Sequence, residues 1–137
     1  MREPTSEEIE KLVELALKAK EFAYCPYSNY RVGAAILCAN GIYYTGVNVE
    51  NASYGGAICA ERVAITKAVS EGQKKFIAIS VSTDSFEKFA RPCGICRQFI
   101  SEFATDLSIY LVNPDGKYIV DNIKNLFPEP FGNNDLT

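Results

Sequence analysis

The sequence predicts an α/β fold of three layers, with a mixed five-stranded sheet covered by helices on both faces. Two observations carry this. Segments of helical and strand character follow one another as α-ββ-α-β-α-ββ-α, with no repeat, low-complexity tract or linker between them. The turn Asn113-Pro114-Asp115-Gly116 is also too short for a parallel crossover, which needs about a dozen residues or more, so the last two strands must be antiparallel neighbours. At 137 residues the chain is expected to form one domain, 1–137, large enough to bury a core without disulfide staples.

Each element has its own signal. Thr5 followed by Glu8 reads as a capping box, and Ile9, Leu12, Val13, Ala16, Ala19 and Ala23 recur at helical spacing, which predicts a helix over Thr5–Tyr24. Cys25-Pro26 is expected to end it, because the residue before a proline avoids helical geometry. Val32–Cys38 and Ile42–Asn48 are strand-like runs joined at Asn40-Gly41, a hairpin signal. A loop with two glycines leads to a helix from about Cys59 to Glu71, stopped by Gly72. Phe76–Val81 reads as a buried strand, Gly94–Phe103 as a helix, and Leu107–Val112 and Tyr118–Val120 as the closing strands. A short helix near Asn122–Phe127 and a Pro/Gly/Asn-rich tail complete the chain.

Composition narrows the function. Hydrophobic residues make up 47% and charged residues 23%, as in ordinary globular proteins, and the net charge of −3 disfavours a nucleic-acid or anionic-membrane partner. No apolar run approaches a membrane span, and the N-terminal residues are acidic rather than a signal peptide, so a cytoplasmic location is expected. Histidine is absent, which removes Ser-His-Asp and Cys-His catalysis and any imidazole-based metal site. Acid–base work falls to Asp, Glu, Lys, Tyr or Cys. Five cysteines in a reducing compartment point to metal or catalysis before disulfides.

Three of those cysteines form a pattern. Cys59 and Glu61 open one predicted helix, in Cys59-Ala60-Glu61-Arg62, and Pro92-Cys93-Gly94-Ile95-Cys96-Arg97 opens another. Cys93 and Cys96 share one face of a first turn and can reach one ion. Cys59 and Glu61 lie about 200° apart on a helical wheel, so they can share a site only at a helix end. Three thiolates on zinc leave one position open, the arrangement of a catalytic site, where bound water falls from a pKa of about 16 towards about 7. Thiolates and hydroxide together over-neutralise the cation. Two helix N-termini, with Arg62 and Arg97 expected to donate to the sulfurs, would compensate that charge. Cys25 and Cys38 are better explained by packing. A structural zinc site is the rival reading, and it would need a fourth protein ligand.

At these residues the chain resembles a known family. C-x-E followed by P-C-x-x-C is the zinc-deaminase signature, here in its all-cysteine form. Asn48-Val49-Glu50-Asn51-Ala52-Ser53-Tyr54, Pro26-Tyr27-Ser28 and Val32-Gly33-Ala34-Ala35 are similar to the motifs of cytidine deaminases acting on free nucleosides, and the likeness covers nearly the whole chain. The resemblance implies the cytidine-deaminase-like fold, one Zn2+ per subunit held by Cys59, Cys93 and Cys96, and hydrolysis of cytidine and deoxycytidine to uridine and deoxyuridine with release of ammonia, a pyrimidine-salvage reaction. It implies that Glu61 shuttles protons, that Asn48 and Glu50 bind the ribose hydroxyls, and that the Ala60 backbone meets the pyrimidine edge. It further implies a homotetramer in which Tyr54 and Phe131 contribute across subunit interfaces. Where the family commonly has Phe stacking on the base, this chain has Tyr30, whose hydroxyl needs a polar partner or water when buried. Three alternatives stay open: an analogue or antibiotic deaminase, a structural zinc module that binds a protein or RNA, and a nucleic-acid-editing deaminase. The last is disfavoured by the acidic balance and the antiparallel ending.

Overall fold

The computed structural model describes residues 2–136. The first helix, α1, spans Ser6–Lys20, and its start is built as the sequence predicts: Thr5 Oγ1 accepts from Glu8 N while Glu8 Oε1 accepts from Thr5 N. Leu12, Ala16 and Ala19 form its buried stripe. The helix ends earlier than expected, with Glu21 as its C-cap. Tyr24 instead pairs with Val49: Tyr24 N donates to Asn48 O at 3.0 Å and Glu50 N donates to Tyr24 O at 2.8 Å. Backbone pairing with a distant segment thus overrides the helical spacing that ran on through Ala23, and the proline has no part in the stop.

Five strands follow: β1 (Val32–Cys38), β2 (Tyr43–Val47), β3 (Phe76–Thr83), β4 (Ser108–Val112) and β5 (Tyr118–Asn122). They form one sheet in the order β2-β1-β3-β4-β5, in which only β3 and β4 run parallel. The helices α2 (Ala60–Ser70), α3 (Gly94–Phe103) and α4 (Ile123–Leu126) complete the fold. The parallel pair needs a crossover, and α3 supplies it; β4 and β5 are antiparallel, as the short turn requires. Both hairpins use the same device. Gly41 N donates to Cys38 O and Cys38 N to Ile42 O, while Gly116 N donates to Asn113 O and Asn113 N to Lys117 O. Gly41 and Gly116 both hold positive φ, the backbone of a type I turn with a glycine bulge.

Alternation along the strands sorts side chains onto two faces. Ala34, Ile36, Ile79, Val81, Ile109 and Leu111 join α2 and α3 in the larger core, whereas Ala35, Leu37 and Tyr110 meet Leu12 of α1. A register shift at Leu37/Cys38, which pairs with Phe76 rather than Ile77, lets Phe76 and Ile79 both reach the larger core. The helices approach the sheet closely at two glycines. A Cβ on Gly33 would lie 2.2 Å from Ala16 O of α1, and one on Gly46 would lie 2.4 Å from Ala60 O of α2. Gly46 therefore sets how deeply the first turn of α2 sits against β2. Among the described residues no helix is long and apolar enough to cross a membrane.

These choices bring several chain ends to one edge of the sheet. The start of β1, the residues after β2, the end of β3 and the first turns of α2 and α3 border a single cavity. Such a crevice beside strand ends is where open α/β sheets place their ligands.

Candidate active site

Cys59 is the N-cap of α2 and Cys93 the N-cap of α3; each has extended backbone, and neither side chain caps its helix. An N-cap Ser or Asp would turn its oxygen onto the exposed N–H groups. These sulfurs turn to each other instead, with Cys59 Sγ 3.7 Å from Cys93 Sγ. Cys96, in the first turn of α3 and fully buried, completes a triplet whose sulfurs all lie within 4.8 Å of one another. A tetrahedral zinc with bonds of about 2.3 Å has ligand–ligand edges of roughly 3.8 Å, so the triplet fits zinc. No fourth protein donor joins it among the described residues. That leaves a structural four-ligand site without its last ligand.

The surroundings favour negative sulfur. Arg62 Nη2 donates to Cys59 Sγ at 3.4 Å, and two helix N-termini point their partial positive charge at the cluster. Cys59 and Cys96 titrate as a pair. A hydrogen bond from Cys96 lowers the Cys59 thiol to about 5 against the opposing effect of burial, with Arg62 and Cys93 helping. Cys96, which donates that bond and is itself buried, is pushed far up. A divalent cation bound among the three sulfurs would favour their ionised form. Arg97 departs from expectation: Nε donates to Pro92 O at 2.8 Å and Nη1 to Leu126 O at 3.1 Å, with no described hydrogen bond to a sulfur. One carbonyl ahead of α3 and the last carbonyl of the short helix α4 capture it. Of the two arginines, Arg62 is the one with a described hydrogen bond to a sulfur.

Glu61 occupies the first turn of α2, only 5% exposed, and borders the cavity beside Cys59 and Cys93. Burial raises its carboxyl to about 7; its own backbone N–H and Arg62 oppose the rise, and the charge of Cys59 adds to it. A carboxyl poised near neutrality can both take and return a proton at physiological pH. The helix end resolves the wheel problem: an N-cap cysteine and a second-position glutamate face the same space.

The cavity measures about 440 Å³, within the range of small-molecule sites. Tyr30, Asn48, Glu50, Tyr54 and Ala60 all line it, as do Arg62 and the apolar Ile58 and Ile95. Phe131 does not; its carbonyl accepts from Gln98 Nε2 at 2.9 Å and its side chain is 56% exposed. Tyr54 is 76% exposed and packs edge-on against Tyr27, with ring centroids 5.8 Å apart.

Asn48 and Glu50 are both tied to one loop. Asn48 Oδ1 accepts from Val32 N, and Asn48 Nδ2 donates to Tyr30 O at 2.8 Å. Glu50 Oε1 accepts from Tyr27 N and Ser28 N, and Oε2 from Ser28 Oγ. The bond from the Ser28 hydroxyl, ahead of the backbone bonds, holds the Glu50 carboxyl below its ordinary range although partial burial opposes this. Ser28 Oγ also accepts from Tyr30 N, and Asp84 accepts from Arg31 N. From Tyr27 to Val32 every N–H is taken, all by side chains except that of Asn29, which bonds Cys25 O. Asn29 holds a positive φ of 56°, which asparagine tolerates. Ser28 and Asp84 carry no local sequence signal for this role, which shows only in the folded contacts.

Comparison with known proteins agrees with this geometry. Residues 6–112 match the model of the cytidine and deoxycytidylate deaminase zinc-binding region. The chain is 48% identical over 130 residues to a probable cytidine deaminase of Dictyostelium discoideum, covering 95% of this chain and 88% of that protein. It is 43% identical over 131 residues to a cytidine deaminase of Sporosarcina psychrophila, covering 95% and 96%. The crystal structure of cytidine deaminase from Burkholderia pseudomallei superposes with a TM-score of 0.85 at 40% identity, covering 93% of this chain and all of that one. Likeness of this extent, over both the metal end and the nucleoside wall, makes the chain a member of the zinc-dependent cytidine deaminase family.

Proposed function

We propose that the chain catalyses hydrolytic deamination of cytidine and deoxycytidine to uridine and deoxyuridine, releasing ammonia, as a step of pyrimidine salvage. One observation carries the reading above all: a buried Glu61 beside a three-sulfur cluster that opens onto a nucleoside-sized cavity. Cys59, Cys93 and Cys96 would hold one zinc per chain, and the chemistry it supplies when bound is a water molecule acidic enough to attack at neutral pH. Glu61 accepts one proton of the attacking water and delivers it to N3 of the pyrimidine, then carries the second, from the new C4 hydroxyl, to the 4-amino nitrogen, which leaves as ammonia when the C4–N4 bond breaks. Arg62 keeps the Cys59 sulfur anionic.

Other residues of the wall receive the substrate. Asn48 and Glu50 retain unused hydrogen-bonding capacity after serving the loop, and we assign it to the ribose hydroxyls. The Ala60 backbone meets the pyrimidine edge, and the Tyr30 ring stacks on the base with its hydroxyl towards water. The exposure of Tyr54 and Phe131 suits a homotetramer in which they reach neighbouring active sites. A single domain, 1–137, acting in the cytoplasm on free nucleosides completes the proposal; Met1 and Thr137 lie outside the described residues.

An absorbance assay with cytidine, run with and without a zinc chelator, tests the reading. Turnover that chelation abolishes and zinc restores is expected. A zinc-loaded chain that leaves cytidine unchanged would point instead to a structural zinc module. A panel including nucleoside analogues separates the salvage reading from an analogue deaminase, and light scattering gives the subunit number.

A further inference from the structure

A charged cluster that takes no part in the proton chemistry lies one residue behind the cavity wall. Asp84 follows Thr83, the last residue of β3, which itself lines the cavity. Its Oδ1 meets the ammonium of Lys20 at 3.1 Å and Arg31 Nη2 at 3.1 Å. Its Oδ2 accepts from Arg31 N at 2.9 Å and from Arg31 Nε at 3.1 Å. Lys20, the buried last residue of α1, also donates to Thr83 O at 3.1 Å. One carboxylate therefore joins α1, the end of β3 and the segment ahead of β1.

The segment it grips matters. Arg31 stands between Tyr30 and Val32, both on the cavity wall. Asn48 secures the chain on either side of Arg31, through Tyr30 O and Val32 N, and Asp84 secures the middle. Without Asp84, Arg31 N and the buried Lys20 lose their anionic partner, and the Tyr30 peptide depends on Ser28 and Asn48 alone. A bidentate arginine clamp supplies direction as well as attraction.

We propose that Asp84 is a positioning residue for the nucleoside: by pinning Arg31 it fixes the Tyr30 ring against the cavity, and so sets affinity rather than chemical rate. The assignment rests on the deaminase reading for its substrate. In the family chemistry Asp84 touches no reacting atom; it acts through its neighbours.

The test compares Asp84→Asn with the unmodified chain, in the natural background and in Tyr30→Ala. Uridine affinity by calorimetry and the kcat and KM for cytidine are measured for each. Asp84→Asn is expected to weaken uridine binding and raise KM by about tenfold, with kcat within about threefold. In the Tyr30→Ala background the same change should cost no more than about twofold, because coupled residues are not additive. Arg31→Ala keeps the Lys20–Asp84 pair and the Arg31 N–H, so it should weaken binding by about threefold; it decides the matter if Asp84→Asn does not fold. Unchanged affinity, a loss carried by kcat alone, or the full tenfold cost in the Tyr30→Ala background overturns the proposal. A natural chain that leaves cytidine untouched would refute the deaminase reading, while the uridine titrations still report on Asp84.

Discussion

The metal end and the nucleoside wall share one cavity, but they are built by opposite means. At the metal end, two helix N-termini bring Cys59, Cys93 and Cys96 together, and the helices themselves fix the geometry. The wall from Tyr27 to Val32 has no regular structure until β1 begins, and side chains hold its backbone: Asn48, Glu50 and Asp84 from outside it, Ser28 from within. The first region spends its polar groups on a cation. The second spends them on a peptide, so the residues proposed to meet the substrate are also its scaffold. Changes at the metal end should therefore act on rate and metal content, and changes at the wall on affinity.

The largest effect should come from breaking the sulfur triplet. Cys96→Ala removes the one fully buried ligand, and the variant is expected to lose zinc and all measurable turnover together, read by metal analysis and the cytidine assay. Retained zinc with full activity would contradict the ligand assignment. Gly46→Ala comes next, and it attacks the helix rather than the ligands. The added methyl meets Ala60 O and Ala64 N at 2.4 and 2.5 Å, so α2 must shift and carry Cys59 and Glu61 with it. Overpacking of this kind costs about 1–3 kcal/mol in urea melts. Turnover should fall further than uridine affinity.

Smaller effects sharpen the other side. Ser28→Ala removes the hydroxyl that links Glu50 to Tyr30 N, and KM for cytidine should rise by about three- to tenfold with kcat nearly unchanged. The smallest is a matter of pH. Burial opposes ionisation of Asp84, but the hydrogen bonds from Arg31 and Lys20 prevail and hold it at about 2, below an ordinary value of 3.8. A depressed folded value means the contribution is fully present above pH 3.8 and is lost as pH falls through about 2. At most about 2–3 kcal/mol is at stake, from roughly 1.4 kcal/mol per pH unit. The stability gap between the natural chain and Asp84→Asn should close over that acid window.

The same contrast explains what the sequence made legible. Cysteines at fixed offsets on helix starts are local signals, so the sulfur triplet, the place of Glu61 beside it, the hairpins and the antiparallel ending could all be read from short windows. Arg97 could not, since one of its partners is the carbonyl of Leu126, set by where α4 stops. The end of α1 at Lys20 is decided by Tyr24 pairing with Val49, a contact between segments far apart in sequence. Asp84 and Ser28 were invisible as site residues because their work is to hold other residues' backbone.

The most direct test of the account is Glu61→Gln, with zinc content, uridine affinity and turnover measured on one preparation. The account predicts normal zinc and near-normal affinity, with kcat lower by about 10²–10⁴-fold or more. Turnover close to that of the natural chain would contradict it.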